Sequence, residues 1–138
     1  MNLKISLKNP TVEEYNELRR LAGWPTFAAH QASIGLSNSM FSVIVHTDGN
    51  QIMGMGRIVG DGAIYFHIQD VIVRPGFQRL GIGRMIMEEL MRFIEQHSGK
   101  NANIGLMCSK GREAFYRQFG FIERPNEKFG AGMIRINE

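Results

Sequence analysis

The clearest periodic pattern in the chain lies between residues 81 and 97, where apolar side chains recur every three or four positions. This spacing places them on one face of an α-helix. The apolar stripe consists of Ile82, Met85, Ile86, Leu90, Phe93 and Ile94. Charged residues lie opposite it, and Glu88 precedes Arg92 by the interval that favours a helical ion pair. The pattern predicts an amphipathic helix over Gly81–His97 with one buried face.

Shorter patterns near the start of the chain predict a strand and a helix. Leu3–Leu7 alternates between apolar and polar residues, as a short strand does. Thr11 and Glu14 have the spacing of a capping box, which predicts a helix from there to about Ala22. The following stretch, Thr26–Leu36, is ambiguous and fits a second short helix or a loop.

Three apolar segments then follow in close succession. Phe41–His46 and Gln51–Val59 flank Thr47-Asp48-Gly49-Asn50, and Asp-Gly is a strong hairpin signal. Gly60–Gly62 is a second turn, and Ala63–Val73 continues as a third strand. The three segments predict an antiparallel meander.

The chain beyond the long helix predicts shorter elements. Asn103–Cys108 is typical of a short buried strand, and Gly111–Phe119 of a short helix. Gly120 suits the left-handed position that ends such a helix. Phe121 and Met133–Ile136 are expected to form a final hairpin, and the latter segment could be an edge strand that pairs across a dimer.

The order of these elements is β-α-(α)-β-β-β-α-β-α-β-β. A meander followed by a βαβ unit implies an α/β fold with a mixed, mostly antiparallel sheet and helices on both faces. A length of 138 residues, 43% of them hydrophobic, is enough for one domain with a real core. We therefore expect a single domain over residues 1–138.

Cysteine content and hydropathy bear on the compartment. The only cysteine, Cys108, excludes an internal disulfide and favours a reducing environment. No apolar stretch reaches the roughly 18 residues of a membrane span, and the N-terminus lacks a signal-peptide pattern. The expectation is a cytoplasmic protein that does not bind membranes, and no metal site is predicted.

The charge balance is mildly basic. A net charge of +3 comes from 16 Lys and Arg against 13 Asp and Glu. Nucleic-acid-binding proteins usually carry a denser basic face. A basic rim of Arg74, Arg79 and Arg84 around one small anionic ligand explains the same charge, so no nucleic-acid partner is expected.

The chemistry of the chain centres on Gln78-Arg79-Leu80-Gly81-Ile82-Gly83-Arg84, which follows the apolar run ending at Pro75. A helix N-terminus offers unpaired N–H groups and a partial positive charge, and glycines let an oxygen approach the backbone. The segment therefore predicts a phosphate site. A dinucleotide fingerprint is disfavoured because residue 86 is isoleucine rather than the third glycine, and a P-loop because Gly-Lys-Ser/Thr is missing.

A second motif, Phe115-Tyr116-Arg117-Gln118-Phe119-Gly120-Phe121, lies one predicted strand later. With Val73-Arg74-Pro75-Gly76-Phe77 and the glycine segment, it resembles the two signature segments of the GNAT family, the Gcn5-related N-acetyltransferases. The spacing and the strand-helix-strand-helix order between the motifs also match. The resemblance is strong from Ala63 to Phe121 and elsewhere rests on element order.

The resemblance implies acetyl-CoA as acetyl donor. It implies that the backbone amides of Arg79, Leu80, Gly81, Ile82, Gly83 and Arg84 surround the pyrophosphate, and Gln78 is a further candidate cofactor-binding residue. It also implies that Val71, Ile72 and Val73 pair their backbone groups with the pantetheine arm, as an added strand would. The side chains of Val71 and Val73 are expected to be ordinary strand packing.

Two residues of the second segment acquire roles by the same resemblance. Tyr116 matches the family tyrosine beside the thioester sulfur, where it would act as general acid to the departing thiolate; otherwise it is a tyrosine packed on the sheet. Ser109 occupies the position at which the family often has asparagine, and its hydroxyl could still contact the cofactor.

The general base is harder to assign. Strand alternation predicts that Tyr65, His67, Gln69 and Val71 share one face. By resemblance, His67 lies about where several family members have a base, although a structural histidine is an equal alternative. Asp70 is predicted on the opposite face, toward Phe66, Ile68 and Ile72, in a structural role. Cys108 is expected to pack in the core rather than to carry the acetyl group.

The acceptor is expected to be a small primary amine, or alternatively a protein amine, attacking directly in a ternary complex. Candidate acceptor-binding residues are Trp24, His30, Tyr65 and Gln69, and Trp24 could equally cap the core. The rival hypothesis is a CoA-binding sensor without turnover. Neither the acceptor nor the choice between monomer and homodimer follows from the sequence.

Overall fold

A computed structural model describes the whole chain, residues 1 to 138. The elements are β1 (Leu3–Ser6), α1 (Val12–Leu21), α2 (Ala29–Ser37), β2 (Phe41–Thr47), β3 (Ile52–Gly60), β4 (Tyr65–Val73), α3 (Ile82–His97), β5 (Asn103–Leu106) and α4 (Glu113–Arg117). The chain separates into two compact units, Met1–Gly105 and Leu106–Glu138. The prediction of one domain over residues 1–138 stays a prediction.

The five strands form one sheet in chain order, β1-β2-β3-β4-β5. The first four pair with one another in antiparallel fashion. The Asn103 N–H donates to the Ile64 carbonyl, and Gly105 approaches His67. Residue numbers therefore increase in the same direction along β4 and β5, so the two strands are parallel. This confirms the predicted mixed, mostly antiparallel sheet.

Helices cover both faces of the sheet, as predicted. Helix α3 packs against β2, β3 and β4. Gly54 and Gly56 of β3 allow a close approach, since a Cβ at Gly56 would lie 2.6 Å from Ile86 Cγ2 and 3.0 Å from Leu90 Cδ1. Met55, between these glycines, points to the opposite face. There it joins a buried cluster with Tyr15 and Leu18 of α1, Ala32 and Leu36 of α2, and Ile44, Ile52 and Ile72 of the sheet.

A bulge interrupts β4. Met55 pairs with Ile72 and Arg57 with Gln69, so Gly56 alone stands opposite Asp70 and Val71. Asp70 has a φ of +54°, in the left-handed region. The extra residue shifts the alternation of side chains, as it must in a strand whose side-chain period is two.

The bulge corrects two predictions. Tyr65, His67 and Gln69 share a face, but Val71 does not, because it lies near Gly56 on the α3 side. Asp70 does not share a face with Phe66 and Ile68, because its carboxylate bonds to residues of α1 on the other side of the sheet. Simple alternation fails here since it assumes an uninterrupted ladder.

The predicted start of α1 is confirmed. Thr11 Oγ1 accepts from the Glu14 N–H at 3.1 Å, and Glu14 Oε1 accepts from the Thr11 N–H at 2.9 Å. The ambiguous segment forms α2, which begins at Ala29 rather than at Thr26. Helix α3 occupies the range predicted for it.

The second unit contains α4 but no strand pair, so the predicted final hairpin is wrong. Around residue 126 the chain instead forms a local turn, in which the Asn126 N–H donates to the Phe129 carbonyl and Arg124 Nε to the Gly130 carbonyl. Met133 is 90% exposed. The predicted strand at 103–108 ends at Leu106, and Cys108 is exposed rather than in the core.

None of the helices combines the length and the apolar character that a bilayer crossing requires.

Candidate active site

The N-terminus of α3 has the properties of an anion site. Its N-cap is Gly81, whose φ of +84° favours glycine and whose position has no side-chain cap. The first turn contains no acidic residue. The first N–H groups of a helix have no intrahelical acceptor and lie at its positive end. Arg79, with a φ of +66°, and Arg84 are both exposed here.

Arg74 does not belong to this basic rim. Its guanidinium is buried, where Nε donates to the Ile52 carbonyl at 2.8 Å and Nη2 pairs with Glu17 at 3.0 Å. Its charge is therefore committed to holding the end of β4 against β3 and α1. The predicted three-arginine rim is reduced to Arg79 and Arg84.

The end of β4 lies beside the start of α3. A Cβ at Gly54 would lie 2.9 Å from the Ile72 carbonyl oxygen and 3.1 Å from Ile82 Cγ2. On the side of β4 away from β3, β5 begins with Asn103 beside Ile64, and its Gly105 lies beside His67. Because β5 ends at Leu106, it does not extend along Val71–Val73. These three residues can accept an extended ligand as an added strand.

Three predicted site residues lie on the surface of β4 on one side of the sheet. Tyr65 is 51% exposed, His67 is exposed and Gln69 is half-buried. A Cβ at Gly105 would lie 3.3 Å from His67 Nδ1, so the absence of a side chain there leaves room for the imidazole. An exposed imidazole can accept a proton from a ligand or from water.

A buried charge cluster lies next to these residues, at the bulge. The Asp70 carboxylate accepts from Arg19 Nη1 at 2.9 Å, Arg57 Nε at 2.8 Å and the Tyr15 hydroxyl at 2.9 Å. Burial, and next the Asp70 charge, raise the pKa of Tyr15, so its hydroxyl remains a donor to the carboxylate. Asp70 therefore has the predicted structural role.

Trp24 and His30, the other proposed acceptor-binding residues, lie at different levels of exposure. Trp24 is half-buried, packs against the α1–α2 core cluster and lies over the Arg19 guanidinium, with 5.4 Å between Arg19 Cζ and the ring centroid. His30 lies exposed in the first turn of α2. Trp24 thus packs against the core and Arg19, while His30 faces solvent.

In the second unit, Tyr116 is half-buried on α4. Its ring meets those of Phe115 and Phe121 edge-on, with centroids 5.0 and 6.4 Å apart. Burial, followed by the nearby Cys108, raises the pKa of Tyr116. The phenol consequently keeps its proton at neutral pH, as a general acid must before it acts.

Ser109 and Cys108 lie close to Tyr116 in sequence and in this unit. Ser109 is exposed, and its carbonyl accepts from the Arg112 N–H that opens the turn into α4. The Cys108 thiol donates to the Ser109 carbonyl. Partial desolvation of the sulfur, and then Glu113, raise the pKa of Cys108, which disfavours the thiolate that an acetyl-cysteine route needs.

Comparison with known proteins identifies the class. A family model described as an acetyltransferase (GNAT) domain matches residues 13–137. The chain belongs to this family, the GNAT acetyltransferases.

Individual relatives agree with that assignment. The chain is 30% identical over 124 residues to the uncharacterized N-acetyltransferase ycf52 of Pyropia yezoensis, covering 88% of this chain and 70% of that protein. It is 32% identical over 113 residues to histone acetyltransferase TAP1 of Glycine max, covering 75% and 48%. A probable acetyltransferase from meticillin-resistant Staphylococcus aureus has the same fold, with a TM-score of 0.88, 31% identity and coverage of 98% and 100%.

Sequence reasoning missed Arg19, Arg57 and Tyr15 as partners of Asp70. They are separated from it by 51, 13 and 55 residues. The one available signal was an aspartate within an apolar strand, because a buried carboxylate requires hydrogen-bond donors. That signal predicts that partners exist, but not which residues they are.

Proposed function

We propose that this chain transfers an acetyl group from acetyl-CoA to a primary amine by direct attack, and that a small amine is the preferred acceptor. The observation that carries the proposal is the glycine-led N-terminus of α3 beside the backbone of Val71–Val73 that β5 leaves uncovered. Donors suited to a diphosphate and donors suited to an amide-bearing arm thus occur next to each other.

The residues present fit the two ends of such a donor. Ile82, Gly83 and the flanking Arg79 and Arg84 would hold the pyrophosphate through backbone N–H groups and positive charge. Val71–Val73 would hold the pantetheine amides, and a backbone N–H there would stabilise the charge that develops on the thioester oxygen.

Acetyl transfer forms a C–N bond and breaks the C–S bond, and it requires the amine to be neutral. A lysine-like amine with a pKa of about 10.4 is neutral in roughly one molecule in 2,500 at pH 7, a penalty of about 4.6 kcal/mol. We assign the amine proton to His67, directly or through water. Tyr116 would supply a proton to the sulfur that leaves.

We infer the acceptor class from the candidate acceptor-binding residues. Tyr65 and Gln69 lie on the same face of β4 as His67, and together with Trp24 they offer aromatic and amide surfaces. The relative named as a histone acetyltransferase keeps a protein amine as the competing acceptor. A cytoplasmic location and the monomer or homodimer state stay predictions.

The proposal is tested in two stages. Calorimetry with acetyl-CoA should register heat, and the coenzyme should raise the melting temperature; neither effect at millimolar coenzyme would refute the proposal. Release of CoA thiol is then measured with an arylalkylamine, an aliphatic polyamine and a histone-tail peptide. Because Cys108 is exposed and would react with thiol reagents, the assay uses the Cys108→Ser variant.

The two stages separate the alternatives. Heat with acetyl-CoA but no thiol release with any amine would favour the sensor hypothesis over an enzyme. Release with the histone-tail peptide alone would replace the small amine by a protein acceptor.

A further inference from the structure

The bulge in β4 carries a carboxylate that binds distant parts of the chain. Asp70 adopts its left-handed conformation immediately before Val71. Both carboxylate oxygens are engaged, Oδ1 by Arg19 and Oδ2 by Arg57 and Tyr15. The side chains of Asp70, Arg19 and Arg57 are 9%, 12% and 14% exposed. Charged groups with so little water depend on one another for solvation.

The two arginines carry this connection to either end of α2. Arg19 Nε donates to the Pro25 carbonyl at 2.6 Å, in the segment before the helix. Arg57 Nη1 donates to the Gly35 carbonyl and to Ser39 Oγ, both at 3.1 Å, near the end of the helix. One carboxylate therefore fixes two guanidinium groups, and these bind the backbone on both sides of α2.

The segment before α2 is wrapped around Arg19. The Trp24 N–H donates to the Arg19 carbonyl, and Phe27 lies 4.6 Å from the guanidinium carbon, measured to its ring centroid. Asn16 adds two bonds to the backbone of Phe27. The Arg19 guanidinium contacts Pro25 and Phe27 within this segment. These contacts depend on Asp70, because its carboxylate holds the guanidinium in place.

We infer that Asp70, acting through Arg19, is a positioning residue that fixes Gly23–Phe27 relative to the bulge and so sets the affinity for the acceptor amine. The inference rests on the proposed function, in which β4 holds the donor and this segment borders the acceptor. Since Asp70 directly precedes Val71, the same residue shapes the donor-binding strand and holds the acceptor-side segment.

The test uses Asp70→Asn. Asparagine tolerates the left-handed conformation, so the bulge and the donor site are retained. The substitution removes the charge that holds Arg19. We expect acrylamide to quench the emission of Trp24, the only tryptophan, about twofold more strongly than in the wild type. The KM for the amine that the wild type acetylates should rise about tenfold, while acetyl-CoA affinity changes less than about twofold.

Asp61→Asn is the matched control. Asp61 lies in the turn before β4 and makes three bonds to backbone N–H groups, those of Ala63, Ile64 and Tyr65. Like Asp70, Asp61 accepts three hydrogen bonds, but none of them comes from Arg19. It should lower the melting temperature while leaving Trp24 quenching and the amine KM unchanged.

Arg19→Lys supplies an independent variant in case Asp70→Asn does not fold. Lysine keeps the positive charge but cannot bind Asp70 and Pro25 with a rigid fork. It should increase Trp24 quenching and the amine KM in the same direction as Asp70→Asn.

Quenching equal to that of Asp61→Asn in the folded Asp70 or Arg19 variants would overturn the inference. So would stronger quenching with an unchanged amine KM, because the segment would then be loosened without consequence for the acceptor. Failure of the proposed function gives a different result, namely no acetyl-CoA heat or no amine turnover in the wild type itself.

Discussion

Gly56 of β3 lies directly beneath Ile86 of α3, at a distance that leaves no room for a methyl group. An added Cβ would lie 2.6 Å from Ile86 Cγ2, and Leu90 Cδ1 would be 3.0 Å away. Both the leucine and the isoleucine side chain here are fully buried. This contact brings the helix whose N-terminus forms the proposed phosphate site close to the sheet.

Gly56→Ala should therefore destabilise the fold. Overpacking of a well-packed core costs about 1–3 kcal/mol, which we expect to see in the free energy of unfolding measured with urea. Gly35→Ala is the matched control, because Gly35 lies in α2 with no atom within 4 Å of the added Cβ. Alanine there should stabilise by about 0.5–1 kcal/mol. Equal effects of the two substitutions would contradict the close packing of α3.

Gly81→Ala tests the anion site. Its φ of +84° disfavours a side chain, so relaxation would turn the first N–H groups of α3 away from the ligand. We expect acetyl-CoA affinity to fall at least about tenfold in calorimetry. Gly62→Ala has nearly the same φ, +82°, and equally open space, but lies in the turn before β4. It should reproduce the loss of stability and leave the affinity unchanged; a loss of affinity in both variants would indicate general destabilisation.

Tyr116→Phe should slow turnover by about 10²-fold without abolishing it. The leaving thiol is already fairly acidic, with an ordinary pKa near 8.5, so protonation by Tyr116 assists departure rather than enabling it. The measurement is kcat from CoA release, with acetyl-CoA affinity determined on the same protein as the control. Unchanged kcat would remove Tyr116 from the mechanism, whereas a fall in affinity alone would make it a binding residue.

Asp61 predicts a pH dependence of stability. Hydrogen bonds from the N–H groups of Ala63, Tyr65 and Ile64 lower the pKa of Asp61 below its ordinary 3.8. A carboxyl group whose pKa is depressed in the folded state contributes stability above its unfolded pKa and loses that contribution as the pH falls through its folded pKa. The stability difference between wild type and Asp61→Asn should thus be largest near neutral pH and shrink below about pH 4.

Urea unfolding of both proteins at a series of pH values measures this difference. If the stability difference stayed constant down to the lowest pH at which both proteins fold, the charge of Asp61 would not contribute to stability. Asp48→Asn, in the turn at the other end of β3, serves as the control for a general effect of lost negative charge.

The sequence by itself determined the local elements and the family. Thr11 and Glu14 are three residues apart, and their reciprocal bonds need only one helical turn to form. The apolar stripe of α3 and the Asp-Gly turn between β2 and β3 are equally local, because their partners lie within a few positions. The two glycine-containing motifs likewise resemble GNAT segments through their residue types and spacing alone.

Tertiary structure decided what depends on distant partners. The sequence places Arg74 in the predicted basic rim, yet Glu17, 57 residues earlier, and the Ile52 carbonyl bind it. The bulge at Asp70 places Val71 on the opposite face from the one predicted. The groups that donate hydrogen bonds to the Asp70 carboxylate come from α1 and β3. The apolar residues at 133–136 suggested a strand, but an extended segment becomes a sheet strand only where a neighbour pairs with its backbone. Periodicity records which residues tend to be buried, while the side chain that meets a buried charge is chosen when the chain folds back on itself.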